Sequence, residues 1–220
     1  LDDGDDIIYG FTNNDTLSIS GSSYTTNISG NDVIVSVGSG SITLKDVASS
    51  NLNIVGTLGS DSSGKSISNS VSNTLINGTS YADNIENAWA TNVTIDAGAG
   101  DDNIGNTGDS VSINAGDGDD CIENYGGNVT INAGNGEDYI FNWVECVSIC
   151  AGDGNDFIYS YGSNVTVNAG AGNDNISLES NGYYGECTKI QYANGDGNDT
   201  IIGINSTDTL QISGAKYSTT

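Results

Sequence analysis

Val111-Ser112-Ile113-Asn114-Ala115-Gly116-Asp117-Gly118-Asp119-Asp120-Cys121-Ile122 is one of five copies of the same pattern between residues 92 and 177. The copies begin at Val93, Val111, Val129, Val147 and Val165, so the 18-residue spacing never changes. A constant period of this length is typical of a solenoid, in which each repeat forms one turn stacked on the last. The stretch therefore predicts a stack of similar turns.

Each copy predicts two strands and two corners. Apolar Val93 and Ile95 alternate with polar Thr94 and its neighbours, which is the period of a β-strand. Six residues such as 115–120 then turn the chain, and a second short strand brings Ile122 inward. Stacking such turns about 4.8 Å apart gives two parallel sheets over a thin aliphatic core. The predicted fold is all-β, a right-handed parallel β-roll or β-solenoid with an 18-residue turn.

The corner of each copy reads Ala-Gly-x-Gly-x-Asp-x-Ile and carries the candidate metal ligands. Calcium takes six to eight oxygens from carboxylates and backbone carbonyls, and paired glycines let the backbone point its carbonyls at a shared centre. The candidate carboxylates are Asp102, Asp120, Asp138, Asp156, Asp174, Asp199 and Asp6. The candidate glycines are Gly98, Gly100, Gly116, Gly118, Gly134, Gly136, Gly152, Gly154, Gly170, Gly172, Gly195 and Gly197.

On this motif the chain resembles the RTX (repeats-in-toxin, haemolysin-type) family of calcium-binding β-rolls, with Ala in place of the first Gly of the nonapeptide. The resemblance implies that each ion lies between the corners of successive turns and takes ligands from both. A regular array of that family carries the motif in every half-turn, whereas here only alternate half-turns carry it. We therefore expect a variant with one column of calcium ions, roughly four to six of them.

The Gly-Asp corners have a second interpretation, and the opposite edge of the solenoid carries a pattern of its own. The Gly-Asp corners could act only as turn formers. On the opposite edge, Asn87, Asn106, Asn124 and Asn142 fall near one column, with Ser160 next, and could form an amide ladder.

Composition excludes several classes of function. The formal net charge is −25, with four Lys, no Arg and no His. Binding of nucleic acid through a basic surface is excluded, as is charge-driven adhesion to anionic lipid. Spanning a membrane takes an apolar run of about 18 residues or more, and because the sequence has none we expect no membrane insertion. An enzyme on such a fold, for example a polysaccharide lyase, would combine calcium with a basic Arg or Lys. Because the chain has no Arg and no His and its four Lys are scattered, we do not expect an enzyme. The acidic balance favours a chain that is expanded without calcium and folded with it.

The domain organisation follows from shifts in the pattern. Residues 1–58 predict a degenerate calcium corner followed by a small antiparallel β meander. Residues 59–73 are rich in Ser and Gly and predict a linker or loop. Residues 74–203 predict the β-roll, in which Asp83 lacks the second preceding Gly. Residues 204–220 predict the start of a second copy of the N-terminal module, because residues 197–203 repeat residues 4–10 at an offset of 193. We therefore expect a segment of a larger tandem-repeat bacterial protein.

Two outward surfaces and four cysteines remain. The candidate interface comprises Tyr139, Phe141, Phe157, Tyr159, Trp143 and Tyr161. These rings could bind another chain or a glycan, or could only stiffen the sheet by cross-strand stacking. The other sheet presents Thr94, Ser112, Thr130, Ser148 and Thr166 in one file, which resembles the ice-binding faces of calcium-dependent β-solenoids. Cys121, Cys146, Cys150 and Cys187 fit an oxidising exterior, and Cys187 could fold back to Cys146.

Taken together, the sequence predicts a calcium-stabilised structural module of a secreted or surface-attached bacterial protein, such as a filament, matrix or adhesin stalk. Its expected partners are further copies of itself or neighbouring repeat units. The alternative is an adhesin module that binds a glycan or ice through the aromatic or Thr/Ser files.

Overall fold

The structure is a computed structural model that describes residues 5–12, 15–20, 24–29, 31–37, 40–47, 52–57, 64–179 and 187–214. Throughout these ranges the chain is strand, turn and loop, with no helix. Strands β1 to β6 are Asp5–Ile8, Thr16–Ser20, Tyr24–Ser29, Asp32–Val37, Gly40–Leu44 and Leu52–Thr57. Strands β7 to β22 are Ser66–Asn69, Thr74–Thr79, Asn84–Asn87, Thr94–Ala99, Asn103–Asn106, Ser112–Asp117, Cys121–Asn124, Thr130–Asn135, Tyr139–Asn142, Ser148–Asp153, Phe157–Ser160, Thr166–Ala171, Asn175–Leu178, Lys189–Ala193, Thr200–Ile202 and Thr209–Ser213.

The strands form two sheets, of 12 and 10 strands. From β7 and β8 onward, odd-numbered strands stack in parallel in the 12-stranded sheet and even-numbered strands in the 10-stranded sheet. Each strand from β10 to β17 pairs with the equivalent strand of the next repeat, for example Ile113 with Ile131 and Ile122 with Ile140. The predicted parallel β-solenoid with an 18-residue turn is confirmed.

The core is a set of aliphatic columns between the two sheets. Ile104, Ile122 and Ile140 are 0% exposed, and the inward Val and Ile columns of the facing strands are buried with them. The side chains alternate in and out because strand geometry has a period of two. Every turn thus places the same residue positions inside, outside and at the two corners.

The predicted antiparallel meander is also confirmed, and it is part of the same stack. Strand β3 pairs antiparallel with β4, and β4 with β5. At one end β1 pairs in parallel with β5, and at the other β3 pairs in parallel with β7 through Thr25 and Ser68. In the other sheet β6 lies between β2 and β8. The meander therefore continues the 12-stranded sheet.

The prediction of a linker over 59–73 is wrong for the part that is described, whereas residues 59–63 lie outside the described ranges. Strand β7 occupies Ser66–Asn69 and pairs with β9. Ile67 is 1% exposed and Val71 is 0% exposed. The Ser-rich sequence still alternates polar and apolar residues, and that alternation is enough for a short strand when a neighbouring turn supplies the partner.

The predicted amide ladder is confirmed and runs one turn further than expected. Side-chain NH₂ groups donate to the next side-chain oxygen along Asn69, Asn87, Asn106, Asn124, Asn142 and Ser160, over 2.8 to 3.2 Å. Each Asn also closes its own corner, as when Asn124 Nδ2 donates to the Gly126 carbonyl at 2.9 Å. Buried amides need such partners, so the ladder both fills and closes this edge.

One corner of the ladder edge carries an extra residue, Trp89. Asn106 Nδ2 donates to the carbonyl two residues on, whereas Asn87 Nδ2 donates to the Ala90 carbonyl three residues on. Trp89 adopts a φ of 60° and is 81% exposed. A bulky residue in the left-handed region is uncommon. The extra residue therefore bulges outward and leaves the register of the turns on either side intact.

The last turn is irregular. Strand β20 pairs with β18, and Thr200 of β21 pairs with Asn175 of β19, so this turn is longer than those of the array. Strand β22 follows at Thr209–Ser213, within the predicted second copy of the N-terminal module. Residues 180–186 and residues 215–220 lie outside the described ranges.

Candidate metal-binding column

The predicted aspartates of the core array form a single buried file, here called the aspartate column. It comprises Asp102, Asp120, Asp138, Asp156 and Asp174, each only 1 to 2% exposed. Each side chain lies where the Gly-rich corner enters an odd-numbered strand, so the constant period stacks the carboxylates one per turn. Neighbouring turns of a parallel sheet are about 4.8 Å apart.

One oxygen of each carboxylate is held by the preceding turn. The backbone N–H of Asp102 donates to Oδ1 of Asp120 at 2.8 Å, and that of Asp120 to Oδ1 of Asp138 at 2.8 Å. The same bond recurs at Asp156 and Asp174 at 2.9 Å, and at Asp199 at 3.1 Å. The column is thus a chain of hydrogen bonds between turns, with Oδ1 as the acceptor throughout.

The other oxygen, Oδ2, is buried and has no hydrogen-bond partner in all five members of the column. Burial raises the pKa of Asp102 and Asp120 to about 7 and that of Asp138, Asp156 and Asp174 to about 6. The neighbouring carboxylates raise these pKa values further, and the backbone N–H bond opposes the shift. A buried carboxylate oxygen without a partner is costly. In the folded state, the five carboxylates of the column must therefore be protonated or be neutralised by bound cations.

Asp83 shows how the same position looks when the protein itself satisfies it. Its Oδ1 accepts from the Lys65 N–H and from Thr79 Oγ1, and its Oδ2 accepts from the Thr79 N–H at 2.5 Å. Thr79 occupies the position that Gly98 takes one turn later. Asp83 lies in line with the column, since its N–H donates to Asp102 Oδ1 at 2.7 Å. Among the described residues, only the turns with the paired-glycine corner leave a buried carboxylate oxygen without a hydrogen-bond partner.

The paired glycines of the corner are required by the stacking of turns. Gly116 and Gly118 have φ values of +120° and +136°. A Cβ on Gly116 would lie 1.9 Å from the Gly98 carbonyl oxygen, and one on Gly118 would lie 2.3 Å from that of Gly100. Only glycine fits so close to the backbone of the preceding turn. This close approach accounts for the glycines whether or not their carbonyls also bind a cation.

The chain of hydrogen bonds reaches Asp199, but the corner there is less buried and less regular than those of the column. Asp199 is half-buried, with its pKa raised by burial, and Gly197 stacks on Gly172. Gly195 has no atom within 4 Å of a built Cβ, so the structure does not place it in the stacked corner. Asp6 is exposed on β1, beyond the meander and apart from the column.

The column fits a hard cation by its orphaned oxygens, and it constrains the remaining ligands. Within the described ranges, no three or more His, Cys, Asp or Glu side chains converge on a metal-binding group. A bound ion would therefore take one or two carboxylate oxygens and complete its shell with backbone carbonyls of the corners and water. Calcium accepts such ligand sets, whereas zinc favours nitrogen and sulfur ligands.

The predicted aromatic surface is a continuous cluster, and it includes one ring that the sequence analysis missed. Trp143 stacks on Tyr161 with ring centroids 5.3 Å apart and on Tyr125 at 6.0 Å. Tyr139, Phe141, Phe157 and Tyr159 continue the cluster at centroid distances of 6.0 to 6.3 Å. The one-repeat spacing from Tyr125 to Trp143 was the signal that could have identified the seventh ring.

The outward file of the other sheet is also in register, with Thr94, Ser112, Thr130, Ser148 and Thr166 paired in sequence. Beside it, Asn132 Nδ2 donates to Asn114 Oδ1 at 2.7 Å. All four cysteines are free thiols, with Cys146 and Cys187 exposed.

No protein-family model, curated protein or solved structure matches this chain. Among the described residues there is no helix long and apolar enough to span a membrane.

Proposed function

We propose that the chain is a calcium-stabilised structural module of a secreted or surface-attached bacterial protein, and that it is not an enzyme. The observation that carries the proposal is the aspartate column, in which five buried carboxylate oxygens in register have no partner. The resemblance of the corner to the RTX nonapeptide supports calcium as the cation. The net charge of −25 supports a need for cations in general.

The column residues hold one ion or more between successive turns, and calcium supplies positive charge to the orphaned Oδ2 atoms. Without it, the carboxylates must be buried with a charge or a proton, and the stack of turns is destabilised. Stability of a solenoid is a sum of terms between neighbouring turns, so ions bound between turns act on every interface. Extracellular calcium modules bind at about 10⁻⁴–10⁻³ M, which suits a chain that folds after leaving a calcium-poor cytosol.

The test is a calcium titration followed by far-UV circular dichroism, with magnesium as the control ion. The triple variant Asp120→Asn/Asp138→Asn/Asp156→Asn is the control chain. We expect a gain of β signal with calcium in the parent chain and a weak response in the variant. A parent chain that is fully folded in chelator and gains no stability with calcium would overturn the proposal.

A second candidate is a ligand-binding adhesin module, favoured by the exposed rings of the aromatic cluster. Tyr139 is 53% exposed, Tyr125 47% and Trp143 41%. If a glycan binds there, the Tyr139→Ser/Phe157→Ser variant loses binding on a glycan array while the solenoid stays folded. If this variant instead loses self-assembly and the parent chain binds no glycan on the array, the result supports the structural module. An ice ligand would use the Thr/Ser file, and a thermal-hysteresis measurement on the parent chain tests it.

A further inference from the structure

The two ends of the chain carry equivalent sequences. Residues 197–203 repeat residues 4–10, and residues 208–214 repeat residues 15–21, both at an offset of 193. By this offset β21 corresponds to β1 and β22 to β2. The structure places both members of each pair in the same sheet, β1 and β21 in the 12-stranded sheet and β2 and β22 in the 10-stranded sheet.

The equivalence extends to the turn between these strands. At the first end, the Thr12 N–H donates to Oδ2 of Asp15 at 2.8 Å, and the Asp15 N–H donates to the Thr12 carbonyl at 3.0 Å. At the last end, the Asn205 N–H donates to Oδ2 of Asp208 at 2.9 Å, and the Asp208 N–H donates to the Asn205 carbonyl at 3.2 Å. The two ends are therefore copies of one local structure.

The C-terminal copy is exposed on the side where the N-terminal copy is covered. Ile19 is 5% exposed, whereas its equivalent, Ile212, is half-buried. Leu17 is half-buried, whereas its equivalent, Leu210, is 42% exposed. The cover at the first end is provided by β5 and β6, which pair with β1 and β2.

The N-terminal copy is exposed on the side where the C-terminal copy is covered. A Cβ on Gly203 would lie 1.8 Å from the Leu178 carbonyl oxygen, whereas Gly10 has no atom within 4 Å of a built Cβ. Asp6 is exposed, whereas its equivalent, Asp199, is half-buried against the preceding turn. The strands that cover β1 and β2, namely β5 and β6, therefore show what would cover β21 and β22. Conversely, β19 and β20 show what would cover β1 and β2.

We infer that the C-terminal end docks a second copy of this unit following in the same chain, with β21 and β22 serving as β1 and β2 of that copy. The register follows from the first end, where Ile8 pairs with Leu44 and Leu17 with Ile54. Ile201 then pairs with the next copy's equivalent of Leu44, and Leu210 with its equivalent of Ile54. The result is one solenoid that continues across the joint and rises about 43–53 Å per copy at 4.8 Å per strand.

This inference rests on the structural part of the proposed function and not on its calcium part. All four pairings needed at the joint, β1 with β5, β2 with β6, β19 with β21 and β20 with β22, are parallel. A strand that has one parallel neighbour on each side is what the interior of each sheet already contains. The joint therefore introduces no new type of contact.

The test compares the single chain with a two-copy chain in which residues 28–220 follow directly after Thr220. Amide hydrogen exchange is measured in both chains, with and without calcium, at β21 and β22, which in the two-copy chain means those strands of the first copy. We expect exchange at the joint to slow roughly 100-fold in the two-copy chain, toward the rates of the interior turns. Unchanged exchange at these strands in a folded two-copy chain would overturn the inference.

Two point variants give a second readout. In the two-copy chain, Ile212→Ser in the first copy should lower the unfolding midpoint as much as Ile19→Ser does. In the single chain, Ile212→Ser should lower the unfolding midpoint much less. Ile202→Ser is the matched control, because Ile202 and its equivalent, Tyr9, are outward positions that are 54% and 74% exposed. An equal effect of Ile212→Ser in both chains would contradict the joint. Failure of the calcium proposal shows differently, as an absent calcium response in both chains.

Discussion

The substitution Asp138→Asn should stabilise the calcium-free protein near pH 8, because it removes a buried negative charge. Burial raises the pKa of Asp138 to about 6 from an ordinary value of 3.8. A shift of about two pKa units corresponds to roughly 3 kcal/mol between the charged and protonated forms. Solvent screening at the corner reduces this to about 1–2 kcal/mol, and the new amide NH₂, which has no partner, offsets part of it. We expect a net gain of about 1 kcal/mol.

The sign of the effect should depend on pH. Because the folded-state pKa lies above the unfolded value, the carboxyl contributes stability below about pH 4, and this contribution is lost as the pH rises through about 6. At pH 8 the parent chain buries the charge and the variant does not. At pH 5 the parent carboxyl is mostly protonated in the folded state but ionised in the unfolded state, so the advantage of the variant should shrink to roughly half, and it should disappear only below about pH 4.

The assay is urea unfolding followed by far-UV circular dichroism at pH 8 and pH 5, in chelator and in saturating calcium. Asp117→Asn is the matched control, because Asp117 is exposed and the next turn already carries Asn135 at that position. In calcium we expect the order to reverse, because under the proposed function the variant has lost a ligand and the parent gains more stability. If Asp138→Asn destabilised the protein equally at both pH values in chelator, the carboxylate would be a stabilising acceptor, and the reasoning on the column would be refuted.

Two further substitutions test the stacking of turns, with unfolding midpoints as the measurement. Asn124→Ala removes a buried link of the amide ladder and leaves its neighbours without partners, so we expect a loss of about 2–4 kcal/mol. Asn132→Ala on the exposed file should change stability by less than about 1 kcal/mol, and equal losses would contradict the ladder. Gly118→Ala places a Cβ 2.3 Å from the Gly100 carbonyl oxygen and should cost about 2–4 kcal/mol. Gly127→Ala, whose Cβ would meet nothing closer than 3.6 Å, should be tolerated, and a similar loss there would refute the close-approach argument.

The sequence predicted the array well because its period never changes between residues 93 and 176. With a fixed period, every position maps to one column, and the buried Ile122 and Asn124 follow from alternation alone. The aspartate column could be identified for the same reason. That Oδ1 is occupied by an N–H of the preceding turn could not, because it depends on how the turns stack in three dimensions.

The errors arose where the period breaks. Ser66–Asn69 is short and rich in Ser, so composition outweighed a weak alternation, and only pairing with β9 makes it a strand. The place of the extra residue at Trp89 could not be predicted, because it depends on which carbonyl Asn87 reaches. Gly195 matched the motif in sequence, yet the longer last corner moves it out of the stack. Local patterns do not fix positions once insertions intervene.

The charge of the molecule and its architecture impose the same requirement on the stack. Among the described residues there is one ion pair, between Lys45 and Asp32 in the meander. In the part of the solenoid that the structure describes, no Lys pairs with the aspartate column. Two unit charges about 5 Å apart repel by roughly 3 kcal/mol at an effective dielectric constant of about 20. Two exposed carboxylates near the column, those of Asp101 and Asp119, add to the repulsion, since both raise the pKa of Asp120. Because the stability of the stack is a sum over neighbouring turns, repulsion recurs at each interface, and a cation at each interface removes it. Under the proposed function, a calcium ion bound at each interface would remove this repulsion at every turn, which is why we expect calcium binding and folding to be one cooperative event.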